Sequence, residues 1–179
     1  MARPLLILLT GPPGTGKSSL AESAADQVGA AVLGWDWAMA ALRDFDDLQA
    51  AIRSMSHLEH RRVGWSMLWS LATAQLRGGR SVVLDGVARD LEVTGTRALG
   101  RDLSADTLVV LTSCSDVDLH RRRIEGRRRD IPGWYELEWP NVSRFLDAWE
   151  PPTDVDLRLD AIEPFDSNAA VLRQRIRER

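Results

Sequence analysis

Lysine is all but missing from this chain: the Lys and Arg total is 23, and only Lys17 is a lysine. Cysteine is equally scarce. A single residue, Cys114, cannot close an internal disulfide, so the fold is not expected to depend on an oxidising compartment. Positive charge is not in surplus either. With 26 Asp and Glu the formal net charge is -3, which argues against a general nucleic-acid coat while leaving room for a local basic site. Long hydrophobic runs are absent as well. The apolar stretch Leu5 to Leu9 is too short for a signal-peptide core or a membrane span, so neither is expected, and a cytoplasmic location is. Repeats, low-complexity tracts and linkers are lacking, and 179 residues suit one domain with a substantial core.

What is present is concentrated in Gly11-Pro12-Pro13-Gly14-Thr15-Gly16-Lys17-Ser18, directly after the Leu5 to Leu9 run and before a helical pattern spanning Lys17 to Val28. This is the P-loop pattern G-x-x-x-x-G-K-[ST] in its strand, loop, helix context. Glycines let the backbone curl so that successive N–H groups face one phosphate, and the helix adds its positive N-terminal end. Together with Ser19, these residues form the expected phosphate-binding set. Lys17 would reach the β- and γ-phosphates and Ser18 would ligate Mg²⁺. A chain that otherwise uses arginine keeps its one lysine where a compact point charge is needed. The guanine-reading N-K-x-D pattern is absent, which favours ATP over GTP as cofactor.

Strands are expected at Leu5 to Leu9, Ala31 to Gly34, Ser81 to Asp85, Thr107 to Thr112 and Asp156 to Asp160, with helical segments between. That alternation predicts an α/β fold, a doubly wound parallel sheet of about five strands with helices on both faces. Asp36 falls at the carboxyl end of the second strand, the edge where such sheets bind ligands; the alternative is a helix N-cap for Trp37 to Leu42. Asp85 closes the third strand in the Walker B manner and is a candidate Mg²⁺ ligand, against a role as cap of the following turn. Arg89 lies on the loop after it and is a candidate substrate contact.

Between the second and third strands, 37–77 reads as helical, with Trp65, Leu68, Trp69, Ala72 and Leu76 as a core stripe. His57, His60, Arg61 and Arg62 precede that stripe. They read as solvated surface or, for Arg61 in particular, as a substrate contact; the two histidines have no third metal ligand nearby. A later helix, with Ser115 as expected N-cap, carries six arginines in nine positions from Arg121 to Arg129. Helical spacing puts Arg123 and Arg127 on one face, where they could stabilise charge on a transferring phosphoryl group; a solvated face and an RNA contact are the other accounts. Ile131 to Pro140 reads as a lid or as a hydrophobic plug, with Trp134 a candidate substrate contact. Asn141 is expected to cap a helix reaching Trp149, and Asp166 or Ser167 the last helix.

This order of parts resembles the small P-loop kinases over essentially the whole chain: P-loop, Asp36 after strand two, Asp85 on strand three, an arginine-rich helix, and a short final strand and helix. It is similar to predicted kinases related to chloramphenicol phosphotransferase and the zeta toxins, and more distantly to shikimate, gluconate and adenylylsulfate kinases. The resemblance implies one nucleoside-monophosphate-kinase-like domain over 1–179, with a substrate region at about 37–77 and a lid at about 119–140. It implies an ATP- and Mg²⁺-dependent transfer to a small-molecule hydroxyl. Asp36 would act on that hydroxyl, while Lys17, Arg123, Arg127 and Arg128 would hold the nucleotide. The P-loop also resembles that of AAA-type ATPases, but Asp85 is followed by Gly86 rather than an acidic residue and no helical lid domain follows. A polynucleotide 5′-hydroxyl kinase would want an arginine where Met39 stands. A nucleotide-dependent switch would need no acceptor base. Partnership with nucleic acid or membrane is not expected, and the sequence leaves the oligomeric state open.

Overall fold

The computed structural model describes residues 3–179. Five strands, β1 (Leu5–Thr10), β2 (Ala31–Gly34), β3 (Val82–Asp85), β4 (Asp106–Ser113) and β5 (Leu157–Asp160), form one all-parallel sheet in the order β2-β3-β1-β4-β5. Strand residues alternate between faces, so a continuously apolar strand must be covered twice. Ile7 and Leu9 of β1 pack with Leu20, Ala21 and Ala24 of α1 (Lys17–Val28) and with Ala169, Leu172 and Ile176 of α8 (Phe165–Arg177). Leu6 and Leu8 face the other way. They meet Trp65, Leu68, Ala72 and Leu76 of α4 (His57–Arg77) and Val93 of α5 (Asp90–Asp102), so the Trp65 to Leu76 stripe is core as predicted. Helix α5 stands where the strand–helix alternation calls for a helix, although its bounds are not predicted from the sequence.

The chain leaves β1 toward β2 on one side and later passes to β4 and β5 on the other, which opens a crevice beyond the carboxyl ends of β1 and β3. Register then fixes what meets there. Leu9 and Gly34 both lie opposite Asp85, so the P-loop, Asp36 and Asp85 converge on one edge of the sheet.

Several helix boundaries differ from expectation. The 37–77 region is three helices: α2 (Trp35–Ala40), α3 (Asp46–Ser54) and α4. Ser56 and Glu59 form a reciprocal capping box that starts α4 afresh. Asp36 is not a cap, because Gly34 takes the N-cap position and Asp36 lies inside the first turn of α2. Helix α6 (Val117–Glu125) is capped by Asp116 rather than Ser115, its carboxylate accepting the Leu119 N–H at 2.8 Å. Helix α7 (Trp139–Asp147) starts before Asn141, with Pro140 in its first turn where a missing N–H costs nothing. Asn141 instead accepts from Arg144. Helix α8 begins at Phe165 behind Pro164, ahead of both predicted caps.

Candidate active site

A cleft of about 1000 Å³ opens at this edge, lined by Pro13 to Ser19, Asp36, Asp85, Arg61, Arg89 and the arginines 123 and 127–129. The P-loop forming its floor is held from behind. Thr15 Oγ1 donates to the Pro12 carbonyl or shares a proton with Thr112 Oγ1, at 2.8 and 2.6 Å, and the Thr112 hydroxyl reaches the Thr10 carbonyl. Gly11 runs so close to β4 that a Cβ there would lie 2.2 Å from the Thr112 carbonyl oxygen. Gly11 and Pro12 are therefore buried support, whereas Pro13 to Ser19 face the cleft. The first turn of α1 carries no acidic residue and its Gly16 N-cap offers no side-chain acceptor, so the positive helix end stays uncompensated.

Lys17 is buried, with only 7% of its surface exposed. Burial pushes its ammonium below the usual lysine range; Asp85 and Asp36 pull it back up, and Arg127 and Arg129 push it further down. Asp85 Oδ1 is buried with no hydrogen-bond partner among the described residues, so the turn-cap account of Asp85 has no bond to support it. An unpartnered buried carboxylate oxygen beside a buried lysine suits a divalent cation shared with phosphate. No cluster of three or more His, Cys, Asp or Glu side chains that could hold a metal occurs among the described residues. Ser18 and Asp85 both line the cleft, and a hydroxyl and a carboxylate are oxygen donors of the kind that fit a Mg²⁺ ion.

The arginine run divides because α6 ends at Glu125 and Gly126 caps it. Arg123 and Arg127 therefore do not share a helical face, contrary to the expectation from spacing, although both residues reach the cleft. Arg121 turns away to an exposed pair with Glu125. Arg127 sits near Asp36 and Asp85, its guanidinium lowered by burial and then by Arg129. Arg129, which the sequence reading did not single out, is the most firmly placed: its side chain is 6% exposed and Nη1 donates to Asp36 Oδ2 at 2.5 Å. The dense run was the available signal. An assumed continuous helix concealed which member of it counts.

Trp35, Trp37, His60, Tyr135 and Phe145 also line the cleft and give it aromatic walls. Trp35 meets His60 and Trp134 edge-on, with ring centroids 5.3 and 6.4 Å apart. Trp134 does not line the cleft; it backs Trp35 and stacks on Tyr135, which takes the exposed position instead. Arg61 is held by Glu92, a carboxylate only 1% exposed that also accepts the Arg89 N–H at 2.8 Å. Arg89 lies over Trp149, 5.7 Å from the ring centre. His60 is pushed below its ordinary value by burial and then by His57.

Fold and edge geometry together define a P-loop NTPase domain of the shape found in small kinases. The chain belongs to the AAA domain family (AAA_33), whose model matches residues 6–138. The family shares its name with the AAA-type ATPases, yet here Gly86 rather than an acidic residue follows Asp85. The uncharacterized protein Rv2004c of Mycobacterium tuberculosis is 35% identical over 166 residues, 89% of this chain. The chain spans about a third of the length of the curated relatives it matches, 32% in that case. Similar solved structures include a gluconokinase from Sinorhizobium meliloti, at TM-score 0.69 and 17% identity over 99% of this chain and 96% of that one. The adenylylsulfate (APS) kinase CysC of Mycobacterium tuberculosis in complex with AMPPNP and APS scores 0.66 at 21% identity, covering 99% of both chains. Kti12 of Chaetomium thermophilum in complex with ADP-AlF3 scores 0.69 at 15% identity, covering 97% of both. At such identities the likeness shows the fold alone. No described helix is long and apolar enough to cross a membrane.

Proposed function

We propose that this chain is an ATP- and Mg²⁺-dependent kinase that transfers the γ-phosphate to a hydroxyl of a small molecule. The observation that carries the proposal is the convergence of buried Lys17, the unpartnered Asp85 carboxylate and Asp36 in one cleft with Arg123, Arg127, Arg128 and Arg129. Phosphoryl transfer asks a protein for in-line placement, charge neutralisation and a group that orients or deprotonates the nucleophile. In this reading the P-loop N–H groups and Lys17 bind the β- and γ-phosphates. Ser18 and Asp85 would hold Mg²⁺, which would supply neutralisation of developing negative charge.

Arg129 occupies one oxygen of Asp36 and leaves the other free to accept a proton. As the acceptor oxygen bonds to the γ-phosphorus and the bond to the bridging oxygen of ADP breaks, Asp36 takes the hydroxyl proton. Arg123, Arg127 and Arg128 balance charge on the transferring group. The aromatic walls suit an acceptor with an apolar or ring-bearing body.

The experiment is transfer of labelled γ-phosphate from ATP·Mg²⁺ to a panel of small alcohols, nucleosides, sugars and 5′-hydroxyl oligonucleotides. Label on a small molecule is the expected result. Label on oligonucleotides alone would move the assignment to polynucleotide kinase. Nucleotide binding with no transfer to any acceptor would favour a switch.

A further inference from the structure

His120 is a titratable side chain that the proposed chemistry leaves without a part, yet it is 2% exposed and pressed against the P-loop. Its Nε2 lies 2.6 Å from the Pro13 carbonyl oxygen, and its ring meets Trp139 edge-on at 5.6 Å. A carbonyl only accepts, so this contact requires a proton on Nε2. One residue further along the loop the packing is as close: a Cβ on Gly14 would lie 3.2 Å from His120 Cδ2 and 2.6 Å from Ile124 Cδ1. The face of α6 that carries His120 and Ile124 is thus fitted to the Pro13-Gly14 peptide.

We infer that His120 is a positioning residue that aims the first phosphate-binding N–H of the loop. Pro12 and Pro13 have no N–H, so between Gly11 and Gly14 the loop has no backbone donor. In a planar trans peptide the C=O and the following N–H point in opposite directions. Holding the Pro13 carbonyl against α6 therefore turns the Gly14 N–H toward the cleft and keeps the carbonyl dipole away from an incoming phosphate. The same side chain ties the loop to the helix carrying Arg123, one turn further on, and leading to Arg127. Loop and arginine-bearing segment are thus joined at this contact, in addition to the Thr15 and Thr112 bonds that hold the loop from behind.

The inference rests on the nucleotide-binding reading, and its test separates the two. ADP affinity is measured by calorimetry for the wild type, His120→Leu and His120→Gln, at a temperature where all three are folded. Glutamine can place an N–H near the position of Nε2; leucine fills space without a donor. The leucine variant is expected to lose about tenfold or more in affinity and the glutamine variant to recover most of it. A merely structural role would lower the melting temperature of both variants and leave affinity unchanged. Equal ADP affinity in wild type and His120→Leu overturns this inference alone; failure of the wild type to bind ADP overturns the nucleotide-binding reading and the inference with it. A nitrogen-resolved NMR spectrum of the nucleotide-free protein adds an independent check. The His120 ring is expected to carry its proton on Nε2, and a neutral ring protonated only on Nδ1 would also overturn the assignment.

Discussion

The single lysine shows how a residue's identity and its surroundings combine. Burial lowers the proton affinity of Lys17, and negative phosphate placed beside it would raise that affinity again. On the alkaline side, between the depressed value and the bound one, nucleotide binding should take up a proton and weaken as pH rises. Calorimetry of ADP binding in buffers of different ionisation enthalpy checks this; binding without proton uptake up to the usual lysine pKa of 10.5 would contradict it. His60 gives a prediction on stability. Its native pKa is depressed below 6.5, so the unfolded chain binds the proton first as pH falls. The stabilising contribution is complete above 6.5 and is lost as pH drops through the native value. Urea midpoints at pH 7.5 and 5.5 should therefore fall further in the wild type than in His60→Gln, and equal losses would count against the burial account.

Between the P-loop and α6 the packing is close enough to make two glycines of the same motif unequal. Gly14 and Gly16 both hold a left-handed φ, 82° and 80°. A methyl at Gly16 meets nothing within 4 Å, whereas at Gly14 it overlaps Ile124, itself buried. Gly16→Ala should cost only backbone strain, about 1–2 kcal/mol. Gly14→Ala adds displacement of a core side chain, about 1–3 kcal/mol more, so its melting temperature should be the lower by several degrees. Equal melting would show that Ile124 moves aside freely.

Elements such as β1, α1 and the Trp65 to Leu76 stripe were legible because periodicity and the P-loop are local signals. The end of α6 was less so. Six arginines read as one helical surface until Gly126 breaks it, and the Arg129–Asp36 pair joins residues whose proximity only the sheet edge creates. His120 gave no signal in the sequence, since its partner is a backbone carbonyl 107 residues away. Trp134 and Tyr135 differ by one position, and which of them faces the cleft is decided by packing against Trp35.

The molecule as a whole is a parallel sheet that gathers loops from both sides of its central strand. The order β2-β3-β1-β4-β5 brings the P-loop, Asp36 and Asp85 to one edge, and α6 with the segment after it swings the arginines across. A smaller groove of about 510 Å³, by Arg3, Gly100 and Asp106, lies toward the opposite edge, where β4 begins. The account assigns separate tasks within one cleft: Lys17 and the loop hold nucleotide, while Asp36 acts on the acceptor. The measurement that tests this most directly is made on Asp36→Asn, comparing ATP·Mg²⁺ affinity with the rate of labelled γ-phosphate transfer to an acceptor identified with the wild type. The account predicts affinity within a few-fold of wild type and transfer reduced by about 10²–10⁴, the usual contribution of a positioned base. Transfer undiminished in a folded Asp36→Asn protein would contradict it.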